Sequence, residues 1–227
     1  MPTVATRERI KAVAAELYVL RGHDGFSFGD IAAAIGTTRA NIHHHFGNKR
    51  QLMAELIDGF VSDASTRIRH NWLGTRGDFA ARLAANIADM RRFHDRFNKA
   101  PGDRHVWSPL SRVRLDLPVL DSLAAEALER IDGVYDECIR AAVVQAIAAG
   151  EFRDTTPVDD VAQLIRFTLL SCAPMTQDGG GFEEIERLFA ALERTILAAW
   201  GRNRAAARRD RPAARGPRRP RRAGRAD

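Results

Sequence analysis

SFGDIAAAIGTTRANIHHHFGNKRQL, residues Ser27 to Leu52, decides the fold of this chain. In its first half Phe28, Ile31, Ala32 and Ile35 fall at i, i+3, i+4 and i+7, the spacing of one apolar helical face. Ser27 stands just ahead with Asp30 three residues on: a hydroxyl to accept from a free first-turn amide, and an acid suited to the positive helix end. Gly36 interrupts the pattern, and Thr37 or Thr38 can cap a second helix running to about Phe46, with Ile42 and Phe46 on one face. Asn48 restarts the chain as a third helix, with Gln51 where a capping box is completed. Two helices about a tight glycine turn make a helix-turn-helix unit. Small Ala32, turn-forming Gly36 and branched Ile42 supply the close approach, the corner and the filler that such a unit needs.

Two segments, TRERIKAVAAELYVLRG (Thr6–Gly22) and FSFGDIAAAIGTTRANIHHHFGNKRQLM (Phe26–Met53), resemble the DNA-binding domain of the tetracycline-repressor (TetR) family of transcriptional regulators. The match covers roughly the first quarter of the chain. It departs from the family at His43 and His45, where aromatic residues, most often tyrosine, are usual.

With about 100° between successive residues and Ile42 as the buried direction, Thr38, His45 and Phe46 lean inward. Ala40 and His44 point away, and Asn41 and His43 lie on the flanks. The N-terminal part of a recognition helix meets base edges in the major groove. The resemblance therefore implies DNA contacts at Ser27, Thr38, Arg39, Ala40, Asn41, His43, His44 and Lys49. Arg39 can fork onto guanine and Asn41 can pair bidentately with adenine. His43, His44, Ser27 and Lys49 suit phosphates, which position without specifying sequence. The run His43-His44-His45 is no metal site, because consecutive helical side chains diverge too far to converge on one ion.

Around this unit the remaining pattern is helical throughout, and the fold class expected is all-α with about nine helices. Residues 4–21 carry Ile10, Val13, Ala14, Leu17 and Tyr18 on one face and end at Gly22, a third helix for the head. Asn48 to about His70 continues as a connector; Gly74–Gly77 breaks it; Phe79 to about Lys99 is helical. A short helix containing Trp107 is expected within 103–115. A long one follows from Asp116, with Pro118 in its first turn, to Ala149. Thr156-Pro157-Val158-Asp159 opens another, with threonine as its cap, until Pro174 kinks or ends it. Phe182 to Trp200 is the last amphipathic helix.

Residues 201–227 differ in kind. Eleven Arg against two Asp give +9, so with the whole chain at +6 residues 1–200 sum to −3. The high pI thus belongs to the tail, whose three prolines and lack of large apolar residues predict disorder. It could grip DNA phosphates without sequence preference or serve only as a solubilising extension. The domains expected are 1–48 for DNA binding, 49–200 for effector binding and dimerisation, and 201–227 as the Arg-rich tail.

Two cysteines, Cys138 and Cys172, form neither a disulfide framework nor a zinc spacing, and no apolar run or signal peptide suggests a membrane or secretion. A cytoplasmic protein without cofactor or metal is expected. No phosphate loop, nucleophile elbow or defined carboxylate pair points to an enzyme. The resemblance implies a variable helical domain that binds a small-molecule effector, and a homodimer formed through Thr156–Met175 and Phe182–Trp200. Phe93, Phe97, Trp107, Phe167 and Met175 are candidate apolar walls of the effector site, with Asn98, Arg112, Arg166 and Gln177 as polar anchors. The function expected is a ligand-responsive regulator, a dimeric repressor released by its effector from a palindromic double-stranded DNA operator. The alternative is an effector-independent, architectural DNA-binding protein using the head and the basic tail.

Overall fold

The computed structural model describes residues 4–100, 102–179 and 181–202. Among these the chain is helical, with one isolated bridge, Phe152 to Gly201, as its only β-type pairing. Of the tail expected to be disordered from residue 201, Gly201 and Arg202 are instead held in place, by the bridge to Phe152 and by an ion pair of Arg202 with Asp154 at 2.6 Å, and residues 203–227 lie outside the described residues.

Three helices form the head: α1 (Val4–Arg21), α2 (Phe28–Ile35) and α3 (Arg39–Phe46). The local signals in the sequence act as read. Ser27 and Asp30 form a reciprocal capping box at α2, and Gly36 closes it at φ 69°, a left-handed conformation that glycine adopts without steric penalty. Thr38, not Thr37, caps α3 by accepting from the amide of Asn41. The next helix, α4 (Lys49–Arg69), starts at Asn48, whose side chain accepts from the amide of Gln51.

Beyond Arg69 the ladder widens into a π-helical turn, His70–Gly74, that buries Asn71 and Trp72. There follow α5 (Phe79–Phe97), α6 (Pro109–Leu115), α7 (Leu117–Leu120), α8 (Ser122–Ala148), α9 (Val158–Gln177) and α10 (Phe182–Trp200). That makes ten α-helices among the described residues rather than about nine. The extra one comes from the segment expected to run unbroken from Asp116 to Ala149. Asp121 adopts φ 53°, which a helix cannot contain, so α7 stops there and α8 begins afresh. Trp107 lies outside the neighbouring short helix, which Ser108 caps and Pro109 opens. Thr156 does not cap α9: its hydroxyl donates to the carbonyl of Arg153, and Pro157 occupies the cap position. Pro174 sits inside α9 without ending it.

Two apolar clusters divide the interior. One joins the head helices to the first half of α4, from Leu52 to Val61, and to Val113, Leu120, Ala124, Ala127 and Leu128. The other gathers Ala64, Ile68 and Trp72 with the facing sides of α5, α8, α9 and α10. α4 therefore passes from one core into the other. Arg112 on α6 ties the two further, donating to the carbonyls of Val19 (3.0 Å) and Leu20 (3.4 Å) at the end of α1, while Asp116 accepts from the amide of His23 (2.8 Å).

Candidate nucleic-acid interface and effector cavity

α3 is anchored by two packed side chains, Ile42 and Phe46, and of the residues between them His43 and His44 face outward while His45 is half-buried. Thr38, Arg39, Ala40, His43 and His44 are exposed and Asn41 is half-buried, so one short helix carries a continuous polar surface. Asn41 Nδ2 donates to Thr37 Oγ1 at 2.9 Å, which fixes its amide along the edge of that surface. His43 Nδ1 lies 2.9 Å from the carbonyl of Gly47 and must donate to it, and the ring packs edge-on against Phe28. His45 is half-buried with Nε2 unpartnered among the described residues, and its carbonyl accepts from Arg7, which also pairs with Glu55 and lies over Phe46. Ser27 is exposed, and its hydroxyl is already engaged in the capping box, donating to Asp30 at 2.6 Å. Those hydrogen bonds hold the Asp30 carboxyl below its usual range.

Lys49 has a different setting from the one the sequence reading assigned it. Its ammonium donates to the carbonyls of His23 and Phe26 and lies 4.4 Å from the centroid of the Phe26 ring. Burial pushes its pKa down. The side chain clasps the turn between α1 and α2. The adjacent Arg50 is exposed and has no ion-pair partner among the described residues. The sequence contained this distinction: Lys49 shares the i, i+3, i+4, i+7 face of Leu52, Met53 and Leu56, whereas Arg50 lies off it.

A cavity of about 260 Å³ opens where the two cores meet, walled by α1, α4, the π turn, α5, α8, α9 and the segment leading into α6. Phe93, Phe97 and Trp107 line it, joined by Phe60, Tyr135 and Leu169. A smaller void of about 70 Å³ adjoins it and shares Trp107, Tyr135 and Leu169. Asn71 and Asn86, both buried, offer neutral polar groups to the lining, and the Nδ2 of Asn86 donates to the carbonyl of Arg82. Burial pushes the Tyr135 phenol up to about 12, so it stays protonated. Trp107 is held from behind, its indole donating to Thr176 Oγ1 at 2.8 Å.

The other candidates lie elsewhere. Asn98 closes its own loop, accepting from the amide of His105 at 2.7 Å. Arg112 caps α1, as described, and Gln177 sits at the end of α9. Arg166 pairs with Asp136 at 2.9 Å and stacks over Phe167. Phe167 is half exposed on the outer side of α9 with Leu164, and Met175 sits near Ser171, both apart from the lining. The candidates named from the sequence include no residue of α1 or of α4, the helix expected to touch both head and pocket; the signal for α4 is Phe60, Ala64 and Arg67, one more face of that helix, continued by Asn71 of the π turn.

A shallow groove on the outer face of α9 and α10 is lined by Leu164, Phe167 and Leu188, and Leu197 is also exposed on α10. No helix among the described residues is long and apolar enough to cross a membrane.

Residues 10–56 match the family model of bacterial regulatory proteins of the tetR family. The HTH-type transcriptional repressor AcnR of Corynebacterium diphtheriae is 22% identical over 207 residues, which span 84% of this chain and 90% of AcnR. A TetR transcriptional regulator from Chloroflexus aurantiacus superposes with a TM-score of 0.70 at 23% identity, over 87% of this chain and 96% of its own. A transcriptional regulator of Saccharomonospora viridis, solved in complex with choline, gives 0.69 at 23% identity, over 88% and 100%.

Proposed function

We propose that this chain is a TetR-family transcriptional regulator, a dimeric repressor released from a palindromic operator by a small-molecule effector. The observation that carries the reading is the arrangement on α3: Arg39, Ala40, His43 and His44 exposed above a helix pinned by Ile42 and Phe46. Thr38, Arg39, Ala40 and Asn41 occupy the end of α3 that enters a major groove first, with Arg39 and Asn41 as the base readers. His43, His44 and Arg50 meet phosphates beside them, Ser27 contributes from the start of α2, and Lys49 acts by holding the α1–α2 turn.

The division of labour runs along the chain: residues 1–48 bind DNA, 49–200 bind effector and partner, and 201–227 form a basic tail, while the core of the head reaches on to Val61 of α4 and to the start of α8. Dimerisation uses α9 and α10. Half-exposed Leu164, Phe167 and Leu197 support this, since an apolar outer face on two adjacent helices gains from being covered. A two-fold dimer then sets two α3 helices roughly 34 Å apart, one turn of DNA. The effector occupies the cavity between the cores. A ligand that binds better to a dimer with altered head spacing must weaken operator binding by the same factor, because the linkage is reciprocal.

Selection of bound sequences from a random DNA pool, with the full chain and with a version ending at Trp200, tests this. Recovery of one shared palindrome by both supports the reading. Sequence-blind binding that vanishes with the tail contradicts it and points to an architectural protein.

A further inference from the structure

We propose that the cavity selects an organic cation with an apolar or aromatic body, and that Glu16, on the first helix of the DNA-binding head, is one of the carboxylates that receive it. This rests on reading the cavity as the effector site. Its charged lining consists of Glu16, Asp63, Arg67, Asp89 and Arg96. Both arginines are already paired: Arg67 Nε is 3.1 Å from Asp89, and Arg96 is 2.7 Å from Glu16. Asp63 has no cationic partner among the described residues. The lining therefore holds one carboxylate more than it has guanidinium groups, and a ligand that completes it brings positive charge. An anion would have to displace Asp89 from Arg67, and that carboxylate is only 15% exposed and is held by Arg92 as well, at 2.7 Å.

The walls favour the same sign. Aromatic faces attract cations through the ring quadrupole, and two rings of this cavity already hold cations of the protein: Arg67 lies 4.5 Å from the Phe93 centroid and Arg96 lies 5.4 Å from that of Phe97. Arg96 is the exchangeable one. Its pair with Glu16 is 56% and 54% exposed on the two sides, and pairs so exposed contribute little. A ligand cation can take its place between Glu16 and Phe97 while its apolar body rests on Val19, Phe60 and Leu169. The exchange replaces an ion pair between α1 and α5 by a ligand contact, so occupancy of the cavity alters a direct tie between the head and the helical domain.

Three probes test the charge: benzyltrimethylammonium, its uncharged isostere neopentylbenzene, and benzenesulfonate, titrated into the full chain with tryptophan fluorescence as the readout. The cation is expected to bind about tenfold tighter than the isostere or better, as one good cation–π contact with a carboxylate neighbour would give, and the sulfonate more weakly than either. Glu16→Gln and Asp63→Asn each weaken the cation several-fold and leave the neutral probe unchanged. Ala64→Leu, which fills the void from α4, abolishes binding of both. A neutral probe as tight as the cation, or a tighter sulfonate, overturns the cation assignment and leaves the cavity standing. No binding by any probe, or binding that survives Ala64→Leu, overturns the cavity reading together with it.

Discussion

The two halves of α4 have the same backbone and opposite jobs. Toward its start Leu52, Met53, Leu56 and Ile57 are almost wholly excluded from solvent within the head. Toward its end Phe60, Ala64, Arg67 and Ile68 border an open cavity, and the ladder itself widens into the π turn at His70. A close-packed interior has little tolerance for displacement, so the first half moves with the head as one body. The second half faces a gap, and side chains there can be rearranged at low cost. One continuous helix thus joins a close-packed head to a domain that holds an open cavity.

The largest expected effect breaks the rigid half. Ile42→Ala, at 0% exposure beneath α3, should lower unfolding free energy by about 2–5 kcal/mol in urea titrations and abolish DNA binding with it. Filling the chamber should cost less: Ala64→Leu should lower stability by no more than about 1–3 kcal/mol while removing small-molecule binding. If it unfolds the protein instead, the two halves are equally packed and the contrast is lost.

Next in size, Thr38→Ala removes the α3 cap and should cost about 1 kcal/mol, read from the same titrations, because the amide of Asn41 loses its acceptor. Smaller again, Arg50→Ala should weaken binding uniformly across DNA sequences and reduce the salt slope by about one. Lys49→Met should leave that slope unchanged and instead lower stability, since its ammonium is bonded to the carbonyls of His23 and Phe26. Equal salt slopes for the two variants would overturn their separation.

The smallest effect is in acid. Hydrogen bonds from Ser27 hold the Asp30 carboxyl below the usual carboxylate range. A depressed carboxyl contributes stability above its unfolded pKa and loses it as pH falls through the folded value. Asp30→Asn should therefore remove a slight loss of stability below about pH 4, measured by thermal melts from pH 5 to pH 2.

The head was legible in the sequence because its signals are local. A hydroxyl three residues before an acid, a glycine at a corner and two apolar residues four apart each act within one helical turn, and Ser27, Asp30, Gly36, Ile42 and Phe46 all took the structural roles read for them. The chamber was less legible because a void depends on the distance between helices, which no periodicity records. Phe167 and Phe97 are equally apolar in sequence, yet one lies on the outside of α9 and the other lines the cavity. Arg112 and Asn98 are polar, but each is consumed by backbone groups, of α1 and of its own loop. Lys49 shows a signal that was present and unused, since its register with Leu52 and Leu56 placed it inward. The break at Asp121 had none: an aspartate at positive φ is decided by how α7 and α8 pack.

Base reading by Arg39 on α3 is tested most directly by the affinity of the full chain and of Arg39→Ala for a selected palindrome and for a scrambled duplex of the same composition, at one fixed salt concentration. A base-reading Arg39 costs about 1–3 kcal/mol per half-site on the palindrome when it is removed, and on the scrambled duplex no more than one phosphate contact gives. An equal loss on both duplexes would reduce Arg39 to a phosphate contact and overturn its role as a base reader.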